Sequence, residues 1–282
     1  IDYGGKPVVV TTTSMIADIV RNVGGDFIAV EPLMAPGIDP HSYKASERDV
    51  IKVASASLIF HNGLHLEGKL SEVLDRAKNT IPSFAVSEYI PQDRLIMVES
   101  NIADPHIWFD PELWVYAVNR VADSLVEIDP ANAIYYRKNE DRYIQQLLTL
   151  NDDIKKKLDR VPVKARVIVT SHDAFSYFGR AYGWEVIGIQ GVNTASETSV
   201  YNIQNLARTI EQRGINCIFT ETSVPTRSVE ALIASASALG VNLRQGGSLY
   251  SDSLGPQDSG AYTYIELMHH NSNTVIAGIL NL

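Results

Sequence analysis

Short apolar runs in the first third of the chain alternate with stretches whose apolar positions recur every three or four residues. Val8-Val9-Val10 predicts a strand, and the stretch from about Ser14 predicts a helix. Phe27 to Met34 predicts a second strand, followed by a helix that the capping pattern Ser46-x-x-Asp49 opens. Leu58-Ile59-Phe60, a helix from about Leu66 and a strand ending at Ala85 continue the series. Alternation of this kind predicts parallel sheet covered by helices.

The pattern changes at Asp110. Asp110-Pro111 and Asp129-Pro130 each set an N-cap residue before a proline at the first helical position, so two consecutive helices are expected. The second runs from about Pro130 to Arg160, with Tyr136, Tyr143, Leu147, Leu150, Ile154 and Leu158 at three- and four-residue steps and no interior Pro or Gly. At 1.5 Å per residue it would be ~46 Å long. Alternation then resumes. Arg166 to Thr170, Glu185 to Gln190, Asn216 to Thr220 and Val241 to Gly246 read as strands, with helices from about Ala174, Ser199, Arg227 and Ala261. The expected fold class is α/β, with two lobes of helix-covered parallel sheet joined by one long backbone helix. The expected boundaries are 1–128 for the N-terminal lobe, 129–160 for the helix and 161–282 for the C-terminal lobe.

A chain of 282 residues, 45% hydrophobic and 20% charged, can bury a core of that size. Its net charge of −9, without clusters of Lys and Arg, argues against nucleic acid as a partner. The single cysteine, Cys217, sits in an apolar run and reads as a core thiol; it excludes an internal disulfide. No apolar run is long enough to span a membrane, and Ile1-Asp2-Tyr3-Gly4-Gly5 does not read as a signal peptide. Gly24-Gly25 and Gly246-Gly247 lack the spacing of a phosphate-binding loop.

The chemistry concentrates in a few histidines. Asp39-Pro40-His41 and Asp104-Pro105-His106 repeat one tripeptide, in which proline stiffens the turn that presents the imidazole. Ser171-His172-Asp173 and Ser251-Asp252-Ser253 follow in the second half. His41, His172 and Asp252 fall after strands, where open parallel sheets collect ligands. Three imidazoles and a carboxylate suit Zn²⁺, Mn²⁺ or Fe²⁺, and two from each half suggest one ion shared between lobes. His61 and His65 have helical i, i+4 spacing, but the intervening Asn62-Gly63 favours a turn. His269-His270 is read as ending the last helical pattern, where imidazole suits the dipole. Ser171, His172 and Asp173 do not make a triad, because neighbours on a strand point to opposite faces. A zinc hydrolase with one open metal position stays possible.

Gly37 to Tyr43, Asn62 to Glu67, Asp104 to Asp110, Thr170 to Phe175 and Tyr250-Ser251-Asp252, with Tyr182-Gly183, Thr194 to Glu197 and Phe219 to Pro225, together resemble the metal-binding solute receptors of bacterial ABC importers. The likeness is greatest to the TroA-type receptors for zinc and manganese and extends over nearly the whole chain. It implies a metal site formed by His41, His106, His172 and Asp252, one Zn²⁺ or Mn²⁺ per monomer as transported cargo, and no catalytic residues. It also implies a membrane permease as partner, and a place outside the cytoplasm, in the periplasm or lipid-anchored at the outer face of the cytoplasmic membrane. Manganese-preferring relatives often carry Glu where this chain has His172. The long His-rich loop of many dedicated zinc receptors is missing, as is a lipid-attachment cysteine.

The expected activity is capture without chemistry, by a monomer whose four ligands leave no place for an activated water. The long helix should restrict opening, so metal loss should rearrange ligand loops more than it moves lobes. Glu221, Glu197 and Asp173 are candidates for holding imidazole tautomers, and Trp108 and Phe109 for excluding water. A zinc-dependent hydrolase and a surface adhesin on the same fold are the alternatives.

Overall fold

Residues 3–99, 101–196 and 198–282 are described in the computed structural model, and the chain divides into two units, Ile1–Asn151 and Asp152–Leu282. In the first unit β1 (Val8–Thr11), β2 (Ala29–Pro32), β3 (Leu58–His61) and β4 (Ser83–Ala85) form a parallel sheet in the order β2-β1-β3-β4. Val10 and Ile59 are register partners and enter one buried cluster with Val53 of α2 (Glu47–Ala54) and Leu74 of α3 (Ser71–Ala77). Side chains one step along a strand point the other way. α1 (Ser14–Gly24) packs on β1 and β2 and against α4 (Pro111–Ile128).

The start signals behave as expected. Ser46 and Asp49 form a reciprocal capping box, and the Asp110 side chain accepts the amide of Glu112 with Pro111 at the first helical position. Such caps contribute about 1 kcal/mol each. Asp129 behaves differently. It accepts hydrogen bonds from Tyr136 Oη at 2.6 Å and Asn132 Nδ2 at 2.8 Å, and Pro130–Asn132 forms a 3₁₀ turn before α5 (Ala133–Leu158). With 26 residues, α5 is ~39 Å long, shorter than the expected ~46 Å. The division between the units falls inside it.

Other boundaries also shift. Gly25–Phe27 is a 3₁₀ turn, so the second strand is confined to Ala29–Pro32. The helix expected from Leu66 starts only at Ser71, and Leu64 and His65 just before the expected start take left-handed φ values of 54° and 63°. An antiparallel pair, β5 (Met97–Glu99) with β6 (Ile102–Ala103), was not expected. Both strands are too short to show a clear alternation.

In the second unit β7 (Val167–His172) pairs in parallel with β8 (Glu185–Gln190), and β9 (Cys217–Glu221) with β10 (Arg244–Leu249). Val169, Ile189 and Ile218 share a buried cluster with Ile203 and Ala207 of α7 (Val200–Arg213) and Val229 and Leu232 of α8 (Arg227–Ala238). α6 (Ser176–Tyr182) and α9 (Tyr264–Leu280) start two and three residues later than expected, and β10 three residues later. Gly246 lets α9 approach closely. A Cβ there would meet Phe219 at 2.7 Å, and one on Gly278 of α9 would meet the same ring at 2.6 Å. That close approach accounts for the glycine without a phosphate.

Candidate metal centre

Each Asp-Pro-His tripeptide makes the same turn. Asp39 Oδ1 accepts the amide of His41 at 2.8 Å, and Asp104 Oδ1 accepts that of His106 at 2.9 Å. Proline fixes φ at the middle residue while the Asp side chain closes the turn across it. At the second tripeptide the same oxygen lies 2.7 Å from His106 Nδ1. A carboxylate there favours the proton on Nδ1 and places the lone pair on Nε2. The buried rings of His41 and His106 approach with their Nε2 atoms 3.3 Å apart. Two converging imidazole nitrogens make a good partial site for a cation.

The second unit repeats the arrangement with residues distant in sequence. His172 ends β7 and Glu221 ends β9. Glu221 Oε1 accepts the amide of His172 at 2.9 Å, and its Oε2 lies 2.6 Å from His172 Nδ1. His172 Nε2 is then directed at Asp252 Oδ2, 3.4 Å away. Asp252 follows β10 on a loop tied from two sides. Ser223 Oγ donates to Asp252 Oδ2 at 3.2 Å, while Asn271 of α9 accepts the amide of Tyr250 at 2.9 Å and donates to its carbonyl at 2.7 Å.

His172, Glu221 and Asp252 are all buried. Burial opposes charge on the imidazole, but Glu221 and then Asp252 outweigh it, and the His172 pKa is raised well above its ordinary value. A proton is held where a metal cation would replace it. A buried imidazole nitrogen directed at a buried carboxylate is a donor pair that fits a divalent transition metal.

Thus the structure brings His41 to His106 and His172 to Asp252. Glu221 has the expected tautomer-holding position, whereas Asp173 Oδ1 accepts the Ser176 hydroxyl at the start of α6. Glu197 lies outside the described residues. Trp108 and Phe109 are fully buried, with the Trp108 ring edge-on to His106 at 5.3 Å between centroids. Asp104 escaped the sequence reading as a partner of His106, although its i, i+2 spacing is that of an Asx turn.

The remaining histidines stand apart. His61 ends β3 and His65 lies in the left-handed turn, so they share no helical face; both line a cavity of 370 Å³ with Glu67, Asp75 and Lys78. His269 and His270 occupy the first half of α9, not its C-terminus, which removes the dipole explanation. His269 Nδ1 faces Lys157 Nζ at 3.3 Å, and burial followed by that ammonium lowers its pKa.

Residues 9–278 match the ZnuA family, the periplasmic component A of the zinc-uptake complex. The chain belongs to this family. Relatives include the zinc-binding protein TroA of Treponema pallidum (strain Nichols), 43% identical over 98% of this chain and 89% of TroA. The manganese-binding lipoprotein MntA of Bacillus subtilis (strain 168) is 40% identical, covering 95% of this chain and 88% of MntA. The solved structure of periplasmic zinc-binding TroA from Treponema pallidum superposes with a TM-score of 0.95, over 98% of this chain and 99% of that one. The chain is therefore a metal-binding solute receptor of the ABC-importer type with the α/β fold expected from its alternation.

Proposed function

We propose that His41, His106, His172 and Asp252 together bind one divalent ion, Zn²⁺ or Mn²⁺, as cargo. The protein hands that ion, as a monomer outside the cytoplasm, to the membrane permease of an ABC importer. The observation that carries this reading is the repeated carboxylate grip. Asp104 and Glu221 each hold the amide and Nδ1 of one histidine, which leaves His106 Nε2 and His172 Nε2 to coordinate. Each pair alone offers two donors, half of what a closed transition-metal shell takes. Joining the pairs completes the shell and leaves no position for an activated water, so binding proceeds without catalysis. On this reading 1–128 and 161–282 act as lobes on the helical segment 129–160, and ion loss rearranges ligand loops more than it moves lobes.

Three imidazoles favour zinc over manganese by ligand softness and by the general order of divalent affinities. Calorimetry on the chelator-treated chain, with zinc and manganese offered separately, tests the assignment. One tight ion per chain, weakened sharply in His172→Ala, is the expected result; no stoichiometric binding would overturn it.

A further inference from the structure

The hexapeptide from Asn62 to Glu67 follows β3 and reverses the chain through three successive residues of positive φ: Gly63 at 80°, Leu64 at 54° and His65 at 63°. The reversal brings the Glu67 carboxylate back to Asn62. Glu67 Oε1 accepts the Asn62 amide at 2.6 Å and the Thr12 hydroxyl at 2.6 Å. Held this way, Asn62 donates from Nδ2 to the carbonyl oxygen of Pro105 at 3.0 Å, and the amide of Ile107 donates to that oxygen at 2.9 Å. Pro105 is the residue before His106. Its peptide is therefore fixed from outside the tripeptide, while Asp104 fixes the ring from within.

The arrangement carries two unfavourable features. Leu64 and His65 lie in a region that L-residues with a Cβ rarely enter. Asn62 Oδ1 is buried and has no partner among the described residues. Gly63 is also sterically confined, since a Cβ would meet Ser87 Oγ at 2.6 Å and Ala85 Cβ at 2.8 Å. Strain and an unmatched buried acceptor persist where the surrounding structure enforces them, and they concentrate at functional sites. What this turn secures is the link from β3 to the peptide of His106.

We propose that Asn62 and Glu67 are positioning residues for His106. Glu67 fixes Asn62, Asn62 fixes the Pro105 carbonyl, and His106 Nε2 thereby keeps the direction that coordination requires. The proposal rests on the assignment of His106 as a metal ligand. Loss of a partner one step removed from a ligand typically weakens metal binding 10- to 100-fold.

Cobalt(II) tests it, because its visible absorption reports ligand geometry directly. Asn62→Ala should bind Co²⁺ about 10-fold more weakly than wild type, with a shifted and weaker visible band. Glu67→Ala should behave alike, whereas Glu67→Gln, which keeps an acceptor for the Asn62 amide, should recover most of the affinity and the band. A lowered melting temperature with wild-type affinity and spectrum in Asn62→Ala would overturn the proposal, since a purely structural role predicts that combination. Should Asn62→Ala not fold, Asn62→Leu keeps a similar volume, removes the donor and carries the same two outcomes. Co²⁺ binding that is absent in wild type, or unchanged in His106→Ala, would remove His106 from the site and the proposal with it. Normal wild-type binding beside an unaltered Asn62→Ala would remove the positioning role alone.

Discussion

Glu221 holds His172 at two points: one carboxylate oxygen accepts its backbone amide at 2.9 Å, and the other lies 2.6 Å from Nδ1. Because both residues are buried, the contact sets ring direction and proton position together. Glu221→Gln preserves shape but removes the charge that favours a proton on Nδ1. Metal affinity should fall about 10- to 100-fold, as is typical for such partners. Competition against a chromogenic chelator measures the loss; affinity equal to wild type would deny Glu221 this role.

The raised pKa of His172 gives metal binding a definite pH dependence. In the metal-free chain the nearby Glu221 and Asp252 carboxylates favour the protonated ring, so incoming metal displaces a proton. Affinity should rise with pH through the raised value. Calorimetry at neutral pH in buffers of different ionisation enthalpy should show about one proton released per ion. For the metal-free fold the sign is opposite. The imidazolium contribution is fully present below about pH 6.5, the unfolded value, and is lost as pH climbs through the raised folded value. A binding enthalpy independent of buffer would contradict this account.

Cys217 offers a probe of the second unit. Burial pushes its thiol up to about 11, and its side chain is enclosed. The thiolate is the reactive form. Alkylation by iodoacetamide at pH 8 should be negligible in the native chain and complete in denaturant, read by mass spectrometry. Rapid native labelling would show that this strand opens locally.

Much of the fold was legible because its signals are local. Ser46 with Asp49 and Asp110 with Pro111 announce helices within a few residues, and both caps form. The left-handed turn at Leu64 and His65 was not legible. Only Gly63 advertises positive φ there, while the neighbouring residues are held in it by the closure of Glu67 onto Asn62. The site divides in the same manner. Asp104 was missed although its spacing to His106 is that of a local turn, and Glu221 was named only as one of three candidates because it reaches His172 across 49 residues, as Asn271 reaches Tyr250 across 21. Such partners are brought together by sheet order and helix packing, which local pattern does not encode.

Whether two donor pairs serve one ion can be read from zinc K-edge X-ray absorption of the singly loaded chain. The account predicts three imidazole nitrogens and one carboxylate oxygen at about 2.0–2.2 Å, with one imidazole lost in His172→Ala. A shell of two imidazoles completed by water in the intact chain, unchanged by that substitution, would contradict it.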